Sequence, residues 1–326
     1  MWTLMRAATR TAMWTTLRTT ARAALSLAAV LALWGCRPPD TPPVLSDRLP
    51  EEVRTLLRPD TVRGARVGAG VWYRYLWSPE GPWAVHVVEA DLGRCDLVLR
   101  TLRAEERERG GKGHEPVTSM VHRVPTGVLA AVNADFFTPD GGTVGSEVVG
   151  GKVMAARSRP ALAWRPGSPP WMGSAVIEGD TLVAGWRVPF GVGDGVTEAV
   201  GGYPELLDRG GVVGDLGMGE RPAFAASRHP RTAVGHDPDS GRLWLVVVDG
   251  RQAPHSVGMT LPELATLMQA LGARDAINLD GGGSSVMVVL GGARNRPSDD
   301  EGERPVVYAL ALVRDFAGCG VGVRER

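Results

Sequence analysis

The sequence predicts an α+β fold, a single domain with a core of mixed β-sheet and few helices. Three observations lead to this class. Glycine and proline are abundant, at 43 and 24 of the 326 residues, which favours short strands joined by many loops. Residues 243–248 form a continuous apolar run, typical of a strand that is buried on both faces. Only residues 260–272 carry a complete helix pattern.

The first 36 residues predict an export signal. Four arginines and no acidic residue precede the apolar run 23–33, which is too short for a membrane-spanning helix of about 20 apolar residues. Residues 33–36 read Leu-Trp-Gly-Cys, which resembles a lipobox, and a proline-rich stretch follows at once. We therefore predict lipidation of Cys36 and an exported protein anchored in the cell envelope, at the outer membrane or the periplasmic face. The alternative is a plain signal peptide with an incidental cysteine.

Composition limits the partners and suggests the domain boundaries. Cationic and acidic residues balance at 36 each, which argues against a nucleic-acid partner held by bulk charge. Cys95 and Cys319 either pair in an oxidising compartment or stay as two free buried thiols. The predicted organisation is a signal peptide at 1–36, a proline-rich tether and lead-in at 37–61, a folded domain at 62–318 and a tail at 319–326.

The elements before residue 243 are short and are predicted from local patterns. In chain order they are a short helix within 44–66, paired strands at 83–88 and 96–99 around a turn at 92–93, a solvated loop at 104–115, a short helix at 118–124, a buried strand at 128–132, and short strands such as 175–177 and 181–183.

The clearest helix begins at a predicted capping box. The side chains of Thr260 and Glu263 each bond a free backbone N–H of the first turn in such a box. Gly272 supplies the stop. The apolar residues between them fall on one face, which is formed by Leu261, Leu264, Leu267, Met268 and Leu271.

The strongest local signal for function is the segment 278–285, which reads Asn-Leu-Asp-Gly-Gly-Gly-Ser-Ser. Each glycine costs about 0.5–1 kcal/mol relative to alanine in regular structure. A run of three is explained where the backbone approaches a ligand closely and offers N–H groups to an anion. The alternative is a flexible hairpin, although a simple hairpin needs only two such residues. We therefore predict an anion site made by Gly281, Gly282, Gly283, Ser284 and Ser285.

Polar residues at the ends of other predicted strands complete the candidate site. They are Asn133 and Asp135 after strand 128–132, Asp249 and Arg251 after strand 243–248, and Arg231 before a short strand. Strand ends that lead into loops commonly carry functional groups. Taken alone, an Asn or Asp at such a place is also a common turn former. The histidines show no metal-ligand spacing, and His86 in its apolar strand is predicted to be a core residue.

Several motifs follow one another along the chain: Asn-Ala-Asp-Phe-Phe at 133–137, Arg-Thr-Ala-Val-Gly at 231–235, Asp-Gly-Arg at 249–251, Ser-Val-Gly-Met-Thr-Leu at 256–261, and the segment 278–285. Their order resembles the phosphodiester glycosidase family. The resemblance covers about residues 118–315, is specific in its last third and is weak across 138–225. It implies hydrolysis of the bond between a sugar and a phosphate, with a carbohydrate phosphodiester as substrate, and does not fix the sugar.

The resemblance and the chemistry together assign roles. A phosphate monoester leaves as a stable anion, so the site must mainly stabilise charge and supply a carboxylate near the anomeric carbon. We expect Asp280 to act as base or nucleophile and Asp135 as the second carboxylate. The expected phosphate ligands are Arg231, Arg251 and the amides of residues 281–284. Asn133 and Asn278 bond sugar hydroxyls or orient a carboxylate, and Asp249 binds substrate or pairs with Arg251.

Two other function classes are left open. In a metal-assisted phosphodiesterase, Asp135, Asp249 and Asp280 would gather one divalent cation and water would attack phosphorus. In a catalytically silent envelope module, some of the ten tryptophans would line a sugar groove. For the glycosidase no cofactor is expected, and a divalent cation is kept as an alternative.

Overall fold

The computed structural model describes residues 49–125, 127–157, 159–165, 168–178, 181–184, 190–191, 196–219 and 221–319. The predicted signal peptide and Cys36 lie outside these ranges. The chain divides into a unit Met1–Arg37 and a compact unit Pro38–Arg326, and the described residues belong to the second. None of the helices in the described ranges is long and apolar enough to cross a membrane.

The largest of three sheets has eight strands. They are β1 (Thr61–Gly68), β2 (Val71–Ser78), β3 (Trp83–Asp91), β13 (Glu205–Asp208), β14 (Gly211–Val212), β15 (Arg231–Asp237), β16 (Arg242–Val248) and β17 (Asp275–Asn278). Their order in space is β1-β2-β3-β16-β15-β17-β13-β14.

The second sheet has five strands, β4 (Leu97–Arg103), β5 (Val128–Asn133), β18 (Met287–Val289), β19 (Gly292–Ala293) and β20 (Tyr308–Arg314), in the order β19-β18-β5-β20-β4. The third has seven, β6 (Glu147–Val149), β7 (Lys152–Ala155), β8 (Arg159–Trp164), β9 (Trp171–Glu178), β10 (Thr181–Ala184), β11 (Phe190–Gly191) and β12 (Glu198–Gly201), in the order β11-β10-β9-β8-β12-β6-β7.

Five α-helices accompany the sheets: α1 (Glu51–Leu57), α2 (Glu105–Glu108), α3 (Val117–Arg123), α4 (Pro222–Ala226) and α5 (Leu261–Leu271). Helix α5 begins at the predicted capping box, since Glu263 N donates to Thr260 Oγ1 and Thr260 N donates to Glu263 Oε2. It ends at Gly272, whose left-handed backbone, with φ of 99°, suits a residue without Cβ. Helices α1, α3 and α5 confirm the helix predictions for residues 44–66, 118–124 and 260–272.

Strand β16 shows why the core has two layers. Leu245 and Val247 pack into a core cluster to which all three sheets contribute. The alternate residues Val246 and Val248 pack on the other face, against α1 and α5. Since successive side chains of a strand point to opposite faces, the continuous apolar run is buried on both sides, as predicted.

The α+β class with a single domain is confirmed, and three details differ from expectation. The described strand pairs are all antiparallel, where mixed sheets were expected. The predicted pairing of 83–88 with 96–99 is wrong, because β3 pairs with β2 and β16 while β4 pairs with β20. The predicted loop 104–115 contains the short helix α2.

The two ends of the domain are tied into the fold. Val53 and Leu57 of α1 are buried in the core with the eight-stranded sheet, so the folded part begins before residue 62. Cys95, just before β4, forms a disulfide with Cys319, 224 residues away, which decides between the two cysteine states left open by the sequence.

Candidate active site

Two strand ends from different sheets meet at the candidate site. The chain leaves β5 at Asn133 and leaves β17 at Asn278. Asp280 N donates to Ala134 O at 2.9 Å, and Asn133 Nδ2 donates to Asp280 O at 2.7 Å. These bonds join the five-stranded sheet to the eight-stranded sheet. Asp135 and Asp280 are therefore brought to one place, as the sequence predicted for the two catalytic carboxylates.

The two asparagines hold backbone at this junction. Asn133 is fully buried, and its Oδ1 accepts from Thr232 Oγ1 at 2.8 Å and from Val286 N at 3.1 Å. Asn278 is also fully buried, and its Nδ2 donates to Tyr203 O and Leu279 O. Of the two roles left open by the sequence, orientation of the acid-bearing segment is the one their geometry supports. Asn278 Oδ1 is buried without a hydrogen-bond partner, and contact with sugar hydroxyls stays a prediction.

Asp135 is buried between two glycines. Its side chain is 2% exposed, and neither carboxylate oxygen has a well-aligned hydrogen-bond partner. A Cβ at Gly201 would lie 2.5 Å from its Oδ2, and one at Gly145 would collide with the same oxygen. Burial raises the pKa of Asp135 to about 7, against the opposing effect of the nearby amides of Phe136 and Gly145.

Asp280 is half-buried, and its carboxylate, unlike that of Asp135, accepts a well-aligned hydrogen bond. Its Oδ1 accepts from Gly281 N at 2.9 Å. Burial raises the pKa of Asp280 to about 6, while the Ser284 hydroxyl, the Gly281 amide and the charge of Arg304 oppose the rise. The charge of Asp280 is also the smallest of the named influences on Asp135, and it acts to raise the pKa of Asp135. Near neutral pH this pair offers a proton donor and a proton acceptor together.

The glycine loop differs from the predicted nest of free amides. Four of its amides are used inside the fold: Gly281 N donates to Asp280, Gly282 N to Pro230 O at 2.9 Å, Ser284 N to Gly281 O at 3.3 Å, and Ser285 N to Gly282 O at 3.2 Å. The predicted nest of free amides is thereby corrected for these positions, and binding of phosphate by the Gly283 amide stays a prediction.

The three glycines are required by close neighbours. A Cβ at Gly281 would lie 2.7 Å from Pro230 O, and one at Gly282 would lie 3.1 Å from a guanidinium nitrogen of Arg251. One at Gly283 would collide with Arg304. Ser284 and Ser285 are both buried, and the hydroxyl of Ser285 has no hydrogen-bond partner. The glycines thus let the Pro230 carbonyl and two arginine side chains approach the backbone, an approach that the sequence had attributed to a ligand.

Three arginines lie at or near the candidate site. Arg251 is exposed beside Gly282, with its Nη2 3.4 Å from His229 Nδ1. Arg159 lies over the ring of Tyr203 at 5.0 Å, and its charge acts on Asp135. Arg304 lies on Gly283. Sequence reasoning missed Arg159 and Arg304, because nearly all cations of this chain are arginine and a single arginine carries no signal.

Arg231 is placed differently from its predicted role. Its side chain is 1% exposed, Nε donates to Met259 O, and Nη2 donates to Phe224 O and Ser227 O. Burial lowers its pKa to about 10. These bonds fix β15 to the neighbouring segments, so the predicted contact with phosphate is replaced by a structural role.

Asp249 is also a structural residue. It is buried, and its carboxylate contacts His255 Nε2 at 2.9 Å, His86 Nε2 at 3.4 Å, Asn295 Nδ2 at 3.2 Å and Arg296 N at 3.0 Å. Burial works against ionisation, but these polar contacts outweigh it and lower the pKa of Asp249. The predicted substrate contact and the alternative pairing with Arg251 are both corrected, and the core position of His86 is confirmed.

The metal alternative required three acids to converge. Among the described residues no group of three His, Cys, Asp or Glu side chains is placed to hold a metal ion. Asp249 binds histidines on another part of the fold, whereas Asp135 and Asp280 form a pair. The described part of the fold therefore does not bring Asp249 together with Asp135 and Asp280, as the predicted cation site would require.

Buried acids with pKa values near neutrality, with arginines nearby, are typical of a candidate catalytic site. A family model described as Phosphodiester glycosidase matches residues 126–313, more than half of the chain. The chain belongs to the phosphodiester glycosidase family, and the resemblance drawn from its motifs is confirmed.

Parts of the chain are also similar to other proteins. The chain is 41% identical over 85 residues to the SPbeta prophage-derived uncharacterized protein YomE of Bacillus subtilis (strain 168), covering 26% of this chain and 13% of that protein. It is 44% identical over 69 residues to N-acetylglucosamine-1-phosphodiester alpha-N-acetylglucosaminidase of Mus musculus, covering 21% of this chain and 13% of that protein. The matches thus span about an eighth of the length of these relatives.

The fold is also that of a solved member of the family. The catalytic domain of zebrafish N-acetylglucosamine-1-phosphodiester alpha-N-acetylglucosaminidase, auto-inhibited by its pro-peptide, superimposes with a TM-score of 0.54 at 19% identity. The match covers 84% of this chain and 95% of that domain. At this identity the likeness is one of fold.

Proposed function

We propose that the protein hydrolyses a sugar-1-phosphodiester by cleaving the bond between the anomeric carbon and the phosphate oxygen. The observation that carries the proposal is the pair Asp135 and Asp280, whose pKa values are raised to about 7 and about 6. Family membership supports the reaction class, and the surrounding arginines suit an anionic substrate. The sugar of the mouse relative, N-acetylglucosamine, is the first to test.

The different environments of the acids divide their roles. Asp280 is half-buried and ionises above about pH 6, so it acts as base toward water or as nucleophile toward the anomeric carbon. Asp135 is more deeply buried, and its pKa is raised further than that of Asp280, so it keeps its proton to higher pH. It donates its proton to the departing phosphate oxygen. Because a phosphate monoester already leaves as an anion, this donation matters less than it does for an ordinary glycoside.

The experiment that tests the proposal follows the oxygen atom of water. Hydrolysis of N-acetylglucosamine-1-phosphodiester in heavy-oxygen water, with and without chelator, is stopped early and each product is weighed by mass spectrometry. We expect the label on the anomeric oxygen of the sugar and none in the phosphate, with activity unaffected by the chelator. Label in the phosphate would mean attack at phosphorus and would overturn the proposal.

We propose further that the protein acts in the cell envelope, held by lipid on Cys36. The support is the segment 33–36 with the apolar run before it and the prolines after it. Mass spectrometry of the mature protein should find acylated Cys36 at its N-terminus. The Cys36→Ala variant should be either released from the membrane or left unprocessed. An unmodified N-terminus elsewhere would refute the anchor.

A further inference from the structure

A segment that no motif singled out folds over the glycine loop. A Cβ on Gly283 would collide with both the Asp299 carboxylate and the Arg304 guanidinium, so these two side chains lie directly on its backbone. Arg304 Nε donates to Asp299 Oδ2 at 2.8 Å, and Arg304 Nη1 lies 3.4 Å from Ser284 Oγ. Asp299 therefore fixes the plane of this guanidinium against the loop that follows Asp280.

Arg304 is accessible and acts on the site. Its side chain is 41% exposed, and it lines a surface cavity of about 410 Å³ formed by residues 298–305. Its positive charge is among the influences that hold down the pKa of Asp280, which places it within electrostatic reach of that carboxylate. Arg231, which the sequence had suggested as a phosphate ligand, is enclosed and bonded to carbonyl oxygens.

A second exposed guanidinium lies on the neighbouring glycine. Arg251 packs against Gly282, whereas Arg304 packs against Gly283. Two arginines thus flank one short turn of backbone next to Asp280. Asp299 takes the Nε of Arg304, and the contact of Nη1 with Ser284 Oγ is long at 3.4 Å. A phosphate that replaced this long contact could be bound by Nη1 and Nη2 together, because a planar guanidinium binds two oxygens of a phosphate at once.

The geometry points to Arg304 as a phosphate-binding residue that, with Arg251 on the other side of the glycine loop, selects phosphodiester over neutral glycosides. The hydroxyl of Ser284 connects Arg304 with Asp280, since it accepts from Arg304 Nη1 and donates to Asp280. The inference rests on the proposed function for the rest of the substrate, and it concerns the phosphate alone. Asp299 is then a positioning residue that orients the guanidinium.

The first test measures binding without catalysis. Inorganic phosphate is titrated into the wild type, Arg304→Gln and Arg274→Gln, and the dissociation constants are measured by calorimetry. Arg274 is a matched control, an exposed arginine beside the opposite end of β17 that is 3.4 Å from Asp239. We expect at least tenfold weaker binding for Arg304→Gln and a change within twofold for Arg274→Gln. Equal binding by Arg304→Gln and wild type, or none by wild type, would overturn the inference.

The second test separates a contact with phosphate from a general loss of structure. Arg304→Gln should raise KM for the phosphodiester at least tenfold, with KM for a neutral aryl glycoside of the same sugar unchanged within twofold. Arg304→Lys keeps the charge and should give a smaller rise in KM. The carboxyl resonance of Asp280 should titrate at higher pH in Arg304→Gln than in wild type. A KM that rises equally for both substrates would refute the selectivity.

The outcomes distinguish this inference from the proposed function. Phosphate binding that depends on Arg304, without hydrolysis of any sugar phosphodiester, would overturn the proposed function and support the inference. Hydrolysis by Arg304→Gln with the wild-type KM would overturn the inference and leave the proposed function standing.

Discussion

Replacing Asp135 by asparagine tests the most unusual group of the site. The carboxylate is buried between Gly145 and Gly201 without a well-aligned hydrogen-bond partner, and burial raises its pKa from 3.8 to about 7. The folded protein therefore holds this proton more tightly than the unfolded chain does. It follows that the unfolding free energy falls as pH rises from about 4 through 7, because the ionised carboxylate is disfavoured only in the folded state.

The size of the effect follows from the same pKa values. A difference of about three between the folded and unfolded pKa corresponds to about 4 kcal/mol, reached when the group is fully ionised in both states. Asp135→Asn has nearly the same shape and does not titrate. The variant should therefore gain stability relative to wild type as pH rises, by up to about 4 kcal/mol between pH 4 and pH 8, while losing activity.

The assay is urea unfolding of both proteins at several pH values, followed by circular dichroism. Asp280 is present in both, so its own titration largely cancels in the difference. Asp239→Asn is the control, because Asp239 is exposed and its pairing with Arg274 contributes little. If the difference between wild type and Asp135→Asn were the same within about 0.5 kcal/mol at pH 5 and pH 8, the burial argument would be refuted.

The remaining predictions concern catalysis. Asp280→Asn should lower kcat on the order of 10³-fold or more with little change in Tm, and activity within a few-fold of wild type would return the role to another carboxylate. The pH profile of kcat/KM should be bell-shaped with an optimum between about 6 and 7, because Asp280 must be ionised and Asp135 protonated, and Asp135→Asn should abolish the alkaline limb. Arg251→Lys should raise KM, because an ammonium group cannot bind two phosphate oxygens in one plane; unchanged kinetics would make Arg251 a surface cation.

Local chemistry explains which parts of the fold were predictable. The capping box of α5, its terminal Gly272 and the buried run of β16 each depend on residues a few positions apart. The pairing of β3 with β16 is different, because their hydrogen bonds join residues more than 150 positions apart. The apolar pattern showed that both strands are buried and carried no information about which strand lies beside which.

The site divides in the same way. The positions of Asp135 and Asp280 at strand ends could be predicted from the sequence, and the structure places them together. The run of glycines was correctly read as a close approach to backbone. The sequence did not show which groups approach it. Arg251 and Arg304 reach the glycines from other loops of the chain.

The sequence by itself determined the family, the main helix and strands, and the two acids. The tertiary structure alone decided the state of each charged group. Arg231 and Arg304 are the same residue type, yet one is enclosed by carbonyl oxygens and the other is open beside the acid pair. Desolvation and charge act through space, so the pKa values of Asp135 and Asp280 exist only once distant segments have packed around them.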